Sequence, residues 1–599
     1  MSYRQEYPRP QLVRNEWLNL NGVWAFAFDD KNIGTAERWY KKDISEYPQQ
    51  IQVPFAFQSE LSGINDQNFH DIIWYKRKFE TSGTWKGKQI FLHFGAVDYR
   101  TWVYVNEELV GYHEGGHTSF SFDITDYLTG GTETISVKVE DPSEDETIPR
   151  GKQYWKEKPD SIWYSRTSGI WQTVWLEAIS HDHIKKLKFT PDLDNGTVIV
   201  EFEVSGDHVG KEVDFEIEFD GKTVVKDSIT IYEAYNKRSF DLYNHKIFRT
   251  GFHHYGWNWS PENPNLFDVK VRLHQNGTIL DEVTSYFGMR KVHIENGMVY
   301  LNNRPYYQKL VLDQGYWPKG LLTAPTDDAL KKDIELAKEM GFNGCRKHQK
   351  VEDPRFLYWA DQLGYLVWGE CAASPSFNED AVARLTREWL EIIDRDYNHP
   401  SVVAWVPLNE SWGVPNIRAN KQQQHHSLAM YYLLHSIDPT RLVISNDGWE
   451  LTKTDICAIH NYNHGQKEDA NKYEQFKLDL STKESVLASM PARRGIYANG
   501  FEHQGEPIIL TEFGGIGYKV SEDEGWGYTS VTNPNDFLDD YKRIMEAVYS
   551  SKILFGYCYT QLTDVEQEIN GLLTYDRKPK CELMEIKQIN DQWHPDTIK

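Results

Sequence analysis

Residues 402–413 read VVAWVPLNESWG. The first half is a run of β-branched and aromatic residues with no alternation, the pattern of a strand buried on both faces. Such strands belong to parallel sheets flanked by helices, and there the C-terminal strand ends carry the chemistry. This one ends on Asn409 and Glu410, an amide beside a carboxylic acid, with Trp412 two residues on. A glutamate so placed is paired, solvated or employed, and the rest of the chain has to say which.

Working outward, similar apolar runs recur at 306–312, 342–346, 366–368, 442–445, 456–459, 508–511 and 554–560. Amphipathic helical stretches lie between them at 327–340, 354–363, 380–396, 420–436 and 535–550. Strands alternating with helices over residues 288–599 predict a C-terminal (β/α)8 TIM barrel. The predicted strand ends carry Asp313, Arg346 with His348, Glu370, Asn409 with Glu410, Asn446 with Asp447, His460 with Tyr462, Glu512, and Gln561 with Asp564. Polar groups converge where a buried-strand pattern alone predicts none.

Upstream the texture is all-β. Over residues 1–180, short runs such as GVWAFAFDD, IWYKRKFE and TWVYVNEELVGYH alternate with turn signals, which predicts a β jelly roll. Residues 181–287 repeat the pattern at smaller scale with Asn-Gly and Asp-Gly turns, which predicts an immunoglobulin-like β-sandwich. A multidomain chain is also what 599 residues require, being too many for one core.

The formal net charge of −24 disfavours nucleic acid and anionic polymers as partners. No run is apolar enough for a membrane span, and the opening MSYRQEYPRPQLVRNEW lacks an apolar signal-peptide core. Five cysteines without CxxC spacing read as free thiols, so a cytoplasmic location is expected. Aromatics at 14% suit sandwich cores and also carbohydrate clefts, where sugars stack their C–H faces on flat rings.

The run IILTEFGG puts Glu512 at the end of the seventh strand, nearly opposite Glu410 at the end of the fourth. Two carboxyl groups facing across about 5–5.5 Å are what a retaining glycosidase needs, one as nucleophile and one as acid, then base. Gly514 and Gly515 are expected to turn the chain sharply and leave room for a sugar ring. The alternative, that both glutamates merely offset helix dipoles, does not require both to end buried strands.

Taken together, these motifs resemble glycoside hydrolase family 2, the group that includes β-galactosidases, β-glucuronidases and β-mannosidases. The resemblance covers almost the full length: FGAVDYRTWVYVNEELVGYHEGGHTSFSFDIT and RTSGIWQTVWLE in the jelly roll, FGMRKVHIENGMVYLNNRPYY at the entry to the barrel, then WVPLNESWG and ILTEFGG. It implies Glu410 as acid/base and Glu512 as nucleophile, with Asn409 on the sugar 2-hydroxyl. It further implies Tyr462 as the tyrosine that hydrogen-bonds the nucleophile, and Arg346 as the cation that keeps it ionised. Asp313, His348, Trp412, Asn446, Asp447, His460 and Gln561 complete the expected substrate-binding set.

Departures from the family pattern bear on specificity. Trp163 stands six positions before Gly169, where β-galactosidases and β-glucuronidases have an acidic residue reaching into the site. VLDQGYWP replaces the RHE expected after the first strand, and Arg346-Lys347-His348 replaces RxxH after the second. WGECAASPS lacks the Glu-x-His that helps ligate Mg²⁺, so no metal or other cofactor is expected. Glu568-Ile569-Asn570-Gly571 lacks the lysine of the Asn-x-Lys that recognises a glucuronate.

The reading is therefore a retaining exo-glycosidase acting on a small oligosaccharide or glycoside, β-galactosidase-like by default, with a homo-oligomer admitted. β-Glucuronidase and α-L-arabinofuranosidase stay open as specificities. A non-catalytic carbohydrate-binding protein is the alternative of another class, and loss of either carboxylate would have favoured it.

Overall fold

The computed structural model describes residues 3–245, 257–520 and 525–592. The N-terminal part folds as two antiparallel sheets. One has four strands, Trp17–Asn19, Val174–Ile179, Gln89–Phe94 and Phe120–Asp123 in spatial order; the other has six, centred on Ile72–Glu80 and Thr132–Glu140. Their inner faces enclose an apolar core that includes Trp24, Phe26, Tyr75, Leu92, Val137 and Leu176. The following part is a smaller sandwich, a three-stranded sheet led by His183–Asp192 against a four-stranded sheet led by Lys211–Phe219. Strand Thr197–Ser205 shows why it sandwiches: its burial alternates residue by residue, with Val198, Val200, Phe202 and Val204 turned inward.

The rest is an eight-stranded parallel sheet in the order five, four, three, two, one, eight, seven, six, which is the neighbour order of a (β/α)8 barrel. Strands one to four are Gln308–Asp313, Gly344–Lys347, Leu366–Glu370 and Val402–Val406. Strands five to eight are Leu442–Val443, Cys457–His460, Ile508–Gly514 and Leu554–Thr560. Strand four is buried at every position, as its unalternating sequence requires. Where strands five and six meet, Asp455 donates its backbone N–H to Val443 O at 3.0 Å and accepts from Val443 N on its carboxylate at 2.7 Å.

Helices cover the sheet where their start signals predict them. Pro354–Leu363 begins on Pro354, is capped by Asp353 accepting from Arg355 N, and stops at Gly364 with φ +70°. Glu379–Asp396 is capped by Asn378 and buries Leu385, Trp389, Ile392 and Ile393 on one face. A three-stranded sheet, Val292–Glu295, Met298–Leu301 and Arg304–Pro305, precedes strand one and falls in the stretch read only as the barrel's entry. None of the described helices is long and apolar enough to cross a membrane.

The jelly roll leans over the barrel's catalytic end. Arg150 and Gly151 donate their backbone N–H groups to Ala373 O, just beyond strand three, at 3.1 and 2.9 Å. The segment 161–164 reaches strand eight's loop: Gln567 Nε2 donates to Ser161 O and Trp163 O, both at 2.8 Å, and Tyr164 OH donates to Glu568 at 2.5 Å.

Candidate active site

Arg346, from strand two, is the hub of the site. It is fully buried and its guanidinium faces three carboxylates. Nη1 donates to Glu512 Oε1 at 3.0 Å and to Thr511 O at 2.8 Å, Nη2 donates to Asn409 Oδ1 at 3.0 Å, and Nε donates to Glu370 Oε1 at 2.9 Å. Asp447 Oδ2 lies 2.7 Å from Nε but off the N–H direction, so this contact is an ion pair rather than a hydrogen bond. Burial alone would favour the neutral guanidine, yet Asp447, Glu370 and Glu512 together push its pKa well above the usual arginine value.

Glu512 sits at the end of strand seven. Burial pushes its carboxyl up, but His460 and Arg346 outweigh burial and hold it below the usual carboxylate range. Tyr462 OH donates to Glu512 Oε2 at 2.8 Å and meets Thr560 Oγ1 at 2.8 Å. Glu512 is thus a nearly buried, ionised carboxylate that accepts from two donors, the charge state that a carboxylate nucleophile requires.

Glu410 lies opposite, beyond the end of strand four. Its side chain is 15% exposed against 6% for Glu512, so it faces the cleft more openly. Glu410 and Ser411 both adopt left-handed backbone, φ +50° and +59°, which is unfavourable for residues bearing a Cβ. The turn is held by the strand-five end: Glu410 N donates to Asp447 O at 2.9 Å, Ser411 N to Asn446 Oδ1 at 2.9 Å, and Ser411 Oγ to Glu450 Oε2 at 2.9 Å.

His460 lies between the two glutamates. Its Nδ1 is 2.7 Å from Glu410 Oε1 and 3.3 Å from Glu512 Oε2, and its Nε2 is 3.4 Å from Asp447 Oδ1. One ligand-type atom from each of Glu410, His460 and Glu512 falls within 4.8 Å of the others, so the nearest oxygens of the two carboxylates approach more closely than the roughly 6.5–9.5 Å of an inverting pair. A cation would fit that spacing. The surroundings instead favour an imidazolium, which has no free lone pair to ligate a cation: its Nδ1 hydrogen-bonds Glu410, its Nε2 meets Asp447 as an ion pair, and although burial would lower its pKa, Glu512, Asp447 and Glu410 raise it to about 10.

Of the expected residues, the structure brings Asn409, Arg346, His348, Asp447, His460 and Tyr462 to the two glutamates. His348 Nδ1 is 3.2 Å from Glu370 Oε2 and 3.4 Å from Arg346 Nη2. Trp412 lines the rim against Trp163 of the jelly roll, edge to face at 4.7 Å and 81°. Three residues are engaged elsewhere. Asp313 is taken by Lys347 Nζ at 2.7 Å and Gly315 N at 2.9 Å. Gln561 is buried and exchanges amide hydrogen bonds with Gln314 and Asn570. Asn446 serves the Glu410 turn.

The glycines after Glu512 need a correction. Gly514 and Gly515 have φ +85° and +71° as expected, but a Cβ would fall 2.2 Å from Tyr559 and 2.4 Å from Tyr528. They make room for aromatic rings rather than for a sugar. Tyr528 in turn stacks on Tyr462 at 3.6 Å and 6°. Glu370, Thr511 and Tyr528 are members of the site that the expected set omits. Glu370 stood at a strand end and Thr511 beside Glu512, whereas Tyr528 lies in a loop with no signal of its own.

Family models match in three consecutive stretches. Residues 18–179 match "Glycosyl hydrolases family 2, sugar binding domain", residues 182–290 match "Glycosyl hydrolases family 2", and residues 292–594 match "Glycosyl hydrolases family 2, TIM barrel domain". The chain belongs to glycosyl hydrolase family 2. Among curated relatives of this family 2 chain, a beta-galactosidase of Thermoanaerobacter pseudethanolicus is 28% identical over 66% of this chain and 52% of its own length. A putative beta-glucuronidase of Formosa agariphila is 29% identical over 71% of this chain and 50% of its own. The chain thus spans about half the length of these relatives. Among solved structures, a β-glucuronidase from Ruminococcus gnavus in complex with D-glucaro-d-lactam superposes with a TM-score of 0.77 at 21% identity, covering 99% of this chain and 100% of that one. At that identity it speaks for the fold alone.

Proposed function

We propose that the protein is a retaining, exo-acting β-glycosidase. The observation that carries the reading is the pair Glu410 and Glu512, on the ends of strands four and seven with carboxylate oxygens inside one 4.8 Å cluster. Glu512, held ionised by Arg346 and His460, attacks the anomeric carbon. Glu410 protonates the leaving oxygen, then takes a proton from the water that releases the sugar. Asn409, oriented by Arg346, is positioned for the sugar 2-hydroxyl, and Trp412 with Trp163 forms an aromatic wall at the rim.

For the sugar we put a neutral β-galactoside first. Trp163 brings no charge to the rim, and Lys347, Lys350 and Lys580 are each paired with a carboxylate. One observation favours a second reading, a β-glucuronide. Lys152 of the jelly roll is 6% exposed, lies over the faces of Trp163 and Tyr164 at 5.6 and 5.5 Å, and pairs with no carboxylate among the described residues. A uronate carboxyl would suit such an ammonium group.

The test is turnover of a panel of nitrophenyl glycosides, with NMR of the anomer released first. Turnover with the β-anomer released first, lost in E512Q, is expected; full activity of E512Q overturns the reading. Within the panel, K152M separates the two sugars, abolishing glucuronide turnover if that is the substrate and sparing galactoside turnover otherwise.

A further inference from the structure

His460 is more than a neighbour of the acid/base. Its ring is seated against Gly448 at φ +89°, where a Cβ would lie 2.3 Å from the imidazole Cγ, so its position is fixed by close backbone packing. The charged groups around it come from three other strand ends: Glu410 beyond four, Asp447 beyond five and Glu512 on seven. Arg346, from strand two, meets Asp447 and Glu512 from another side, and Tyr462, on the segment that follows His460, donates to Glu512. Both ring nitrogens therefore face carboxylate oxygens, which accept and never donate when ionised.

The shortest of these contacts, 2.7 Å, is to Glu410. We propose that His460 shares with Glu410 the proton delivered to the leaving group, so that the acid/base is a Glu410–His460 pair rather than a lone carboxyl group. The inference rests on the assignment of Glu410 and Glu512 made above.

The protons and charges balance. In the proposed resting state the pair holds one transferable proton, seated on His460 and pointed at Glu410 across 2.7 Å. As the glycosidic C–O bond breaks, the shared proton leaves His460 Nδ1, crosses Glu410 and bonds the leaving oxygen, so that the imidazole is left neutral and Glu410 is again a carboxylate. In the same step Glu512 bonds the anomeric carbon and loses its negative charge. The buried cluster keeps its net charge through the reaction, as it would with a lone protonated Glu410, so it is the 2.7 Å contact and the enclosed ring that carry the proposal. When water attacks, the C–O bond to Glu512 breaks, Glu512 regains its charge, and the water proton passes through Glu410 to His460.

The experiment compares H460N and H460Q with wild type on a series of aryl glycosides whose leaving groups run from phenol to 2,4-dinitrophenol. H460Q keeps a donor but no transferable proton. The expected result is a fall of the alkaline limb of kcat/KM by about one pH unit or more, with a loss on phenyl glycosides of about 100-fold. The loss on the dinitrophenyl glycoside, which needs no acid, should be at least about tenfold smaller. Variants with the wild-type alkaline limb and the wild-type leaving-group dependence overturn the proposal. Should neither variant fold, the wild-type limb decides: one above about pH 8 supports the pair, and one near pH 6, as for a lone buried carboxyl, overturns it. Full activity of E512Q would instead sink the glycosidase reading itself, so the two failures are distinguishable.

Discussion

Replacing Arg346 with Met keeps an unbranched apolar stem and removes the guanidinium with its charge. The guanidinium lies 3.0 Å from Glu512 Oε1, and an opposite charge that close depresses a carboxyl pKa by about one to three units. Coulomb's law at an effective dielectric of about 20 gives an upper bound of roughly 5 kcal/mol at this distance, near four units, and relaxation and the remaining imidazolium reduce it. The acid limb of kcat/KM, which reports ionisation of the free-enzyme nucleophile, should therefore move up by about one to three units in R346M. Below both limbs each unit is a factor of ten in rate, added to any loss at neutral pH. The same variant leaves Glu370 and Asp447 buried without the cation, a change worth about 3–5 kcal/mol of stability. The assay is a pH–rate profile on the best aryl glycoside of the panel, with circular dichroism and a thermal midpoint on the same preparation. A folded R346M whose acid limb coincides with that of wild type would refute the claim that Arg346 holds Glu512 ionised.

Three further outcomes follow from the site. Y462F removes a hydrogen bond to ionised Glu512 but keeps the ring stacked on Tyr528, so kcat/KM should fall by roughly 10- to 100-fold with the thermal midpoint little changed; an equal loss in both would assign Tyr462 to packing. N446A leaves the Ser411 N–H unsatisfied in a strained turn, costing about 1–3 kcal/mol, and should slow phenyl glycosides more than dinitrophenyl ones; equal loss on both would mean that the turn does not place the acid. For pH stability the signs differ. Burial raises the Asp447 carboxyl, but Arg346 and His460 lower it to about 2, so its contribution is full above about 3.9 and lost as pH falls toward 2. His460, raised to about 10, contributes fully below about 6.5 and loses that contribution as pH rises through 10. The thermal midpoint should therefore plateau between about pH 4 and 6.5, and a midpoint still climbing at pH 9 would contradict these directions.

The barrel was legible because its strands are short, apolar and regularly interleaved with capped helices. Helix Pro354–Leu363 and strand Leu554–Thr560 coincide with their sequence readings, since each is bounded by residues with strong positional preferences. The fifth strand was read too long. It spans only Leu442–Val443, because the chain turns away after Ile444 and rejoins strand four only at an isolated bridge between Asp447 and Asn409, where Asn446 and Asp447 hold the Glu410 turn. Side-chain roles were harder to read, because strand-end position says that a residue faces the mouth but not what else faces it. Asp313 looked available for substrate, and only the fold shows Lys347, from the neighbouring strand, reaching its carboxylate. Tyr528 had no signal because it reaches Tyr462 from a loop, and only the missing Cβ of Gly515 admits its ring.

The strand-five end shows how a fold holds a costly arrangement in place. Glu410 and Ser411 in left-handed backbone cost of order 1–3 kcal/mol each, and buried carboxylates cost more unless paired. Both costs are met by one short segment. Asn446 accepts from Ser411 N, Asp447 accepts from Glu410 N on its carbonyl, and its carboxylate accepts from Thr511 Oγ1 at 2.6 Å while facing Arg346 and His460. Asp447 therefore links the backbone that aims the acid to the charges that ionise the nucleophile. A substitution there should disturb both limbs of the pH–rate profile at once, as should H460N, which removes a positive charge from beside Glu512 together with the proton donor, whereas R346M acts chiefly on the acid limb. That pattern, an acid limb that moves alone in R346M and together with the alkaline limb at His460 and Asp447, is what distinguishes a single coupled cluster from two glutamates that happen to face each other.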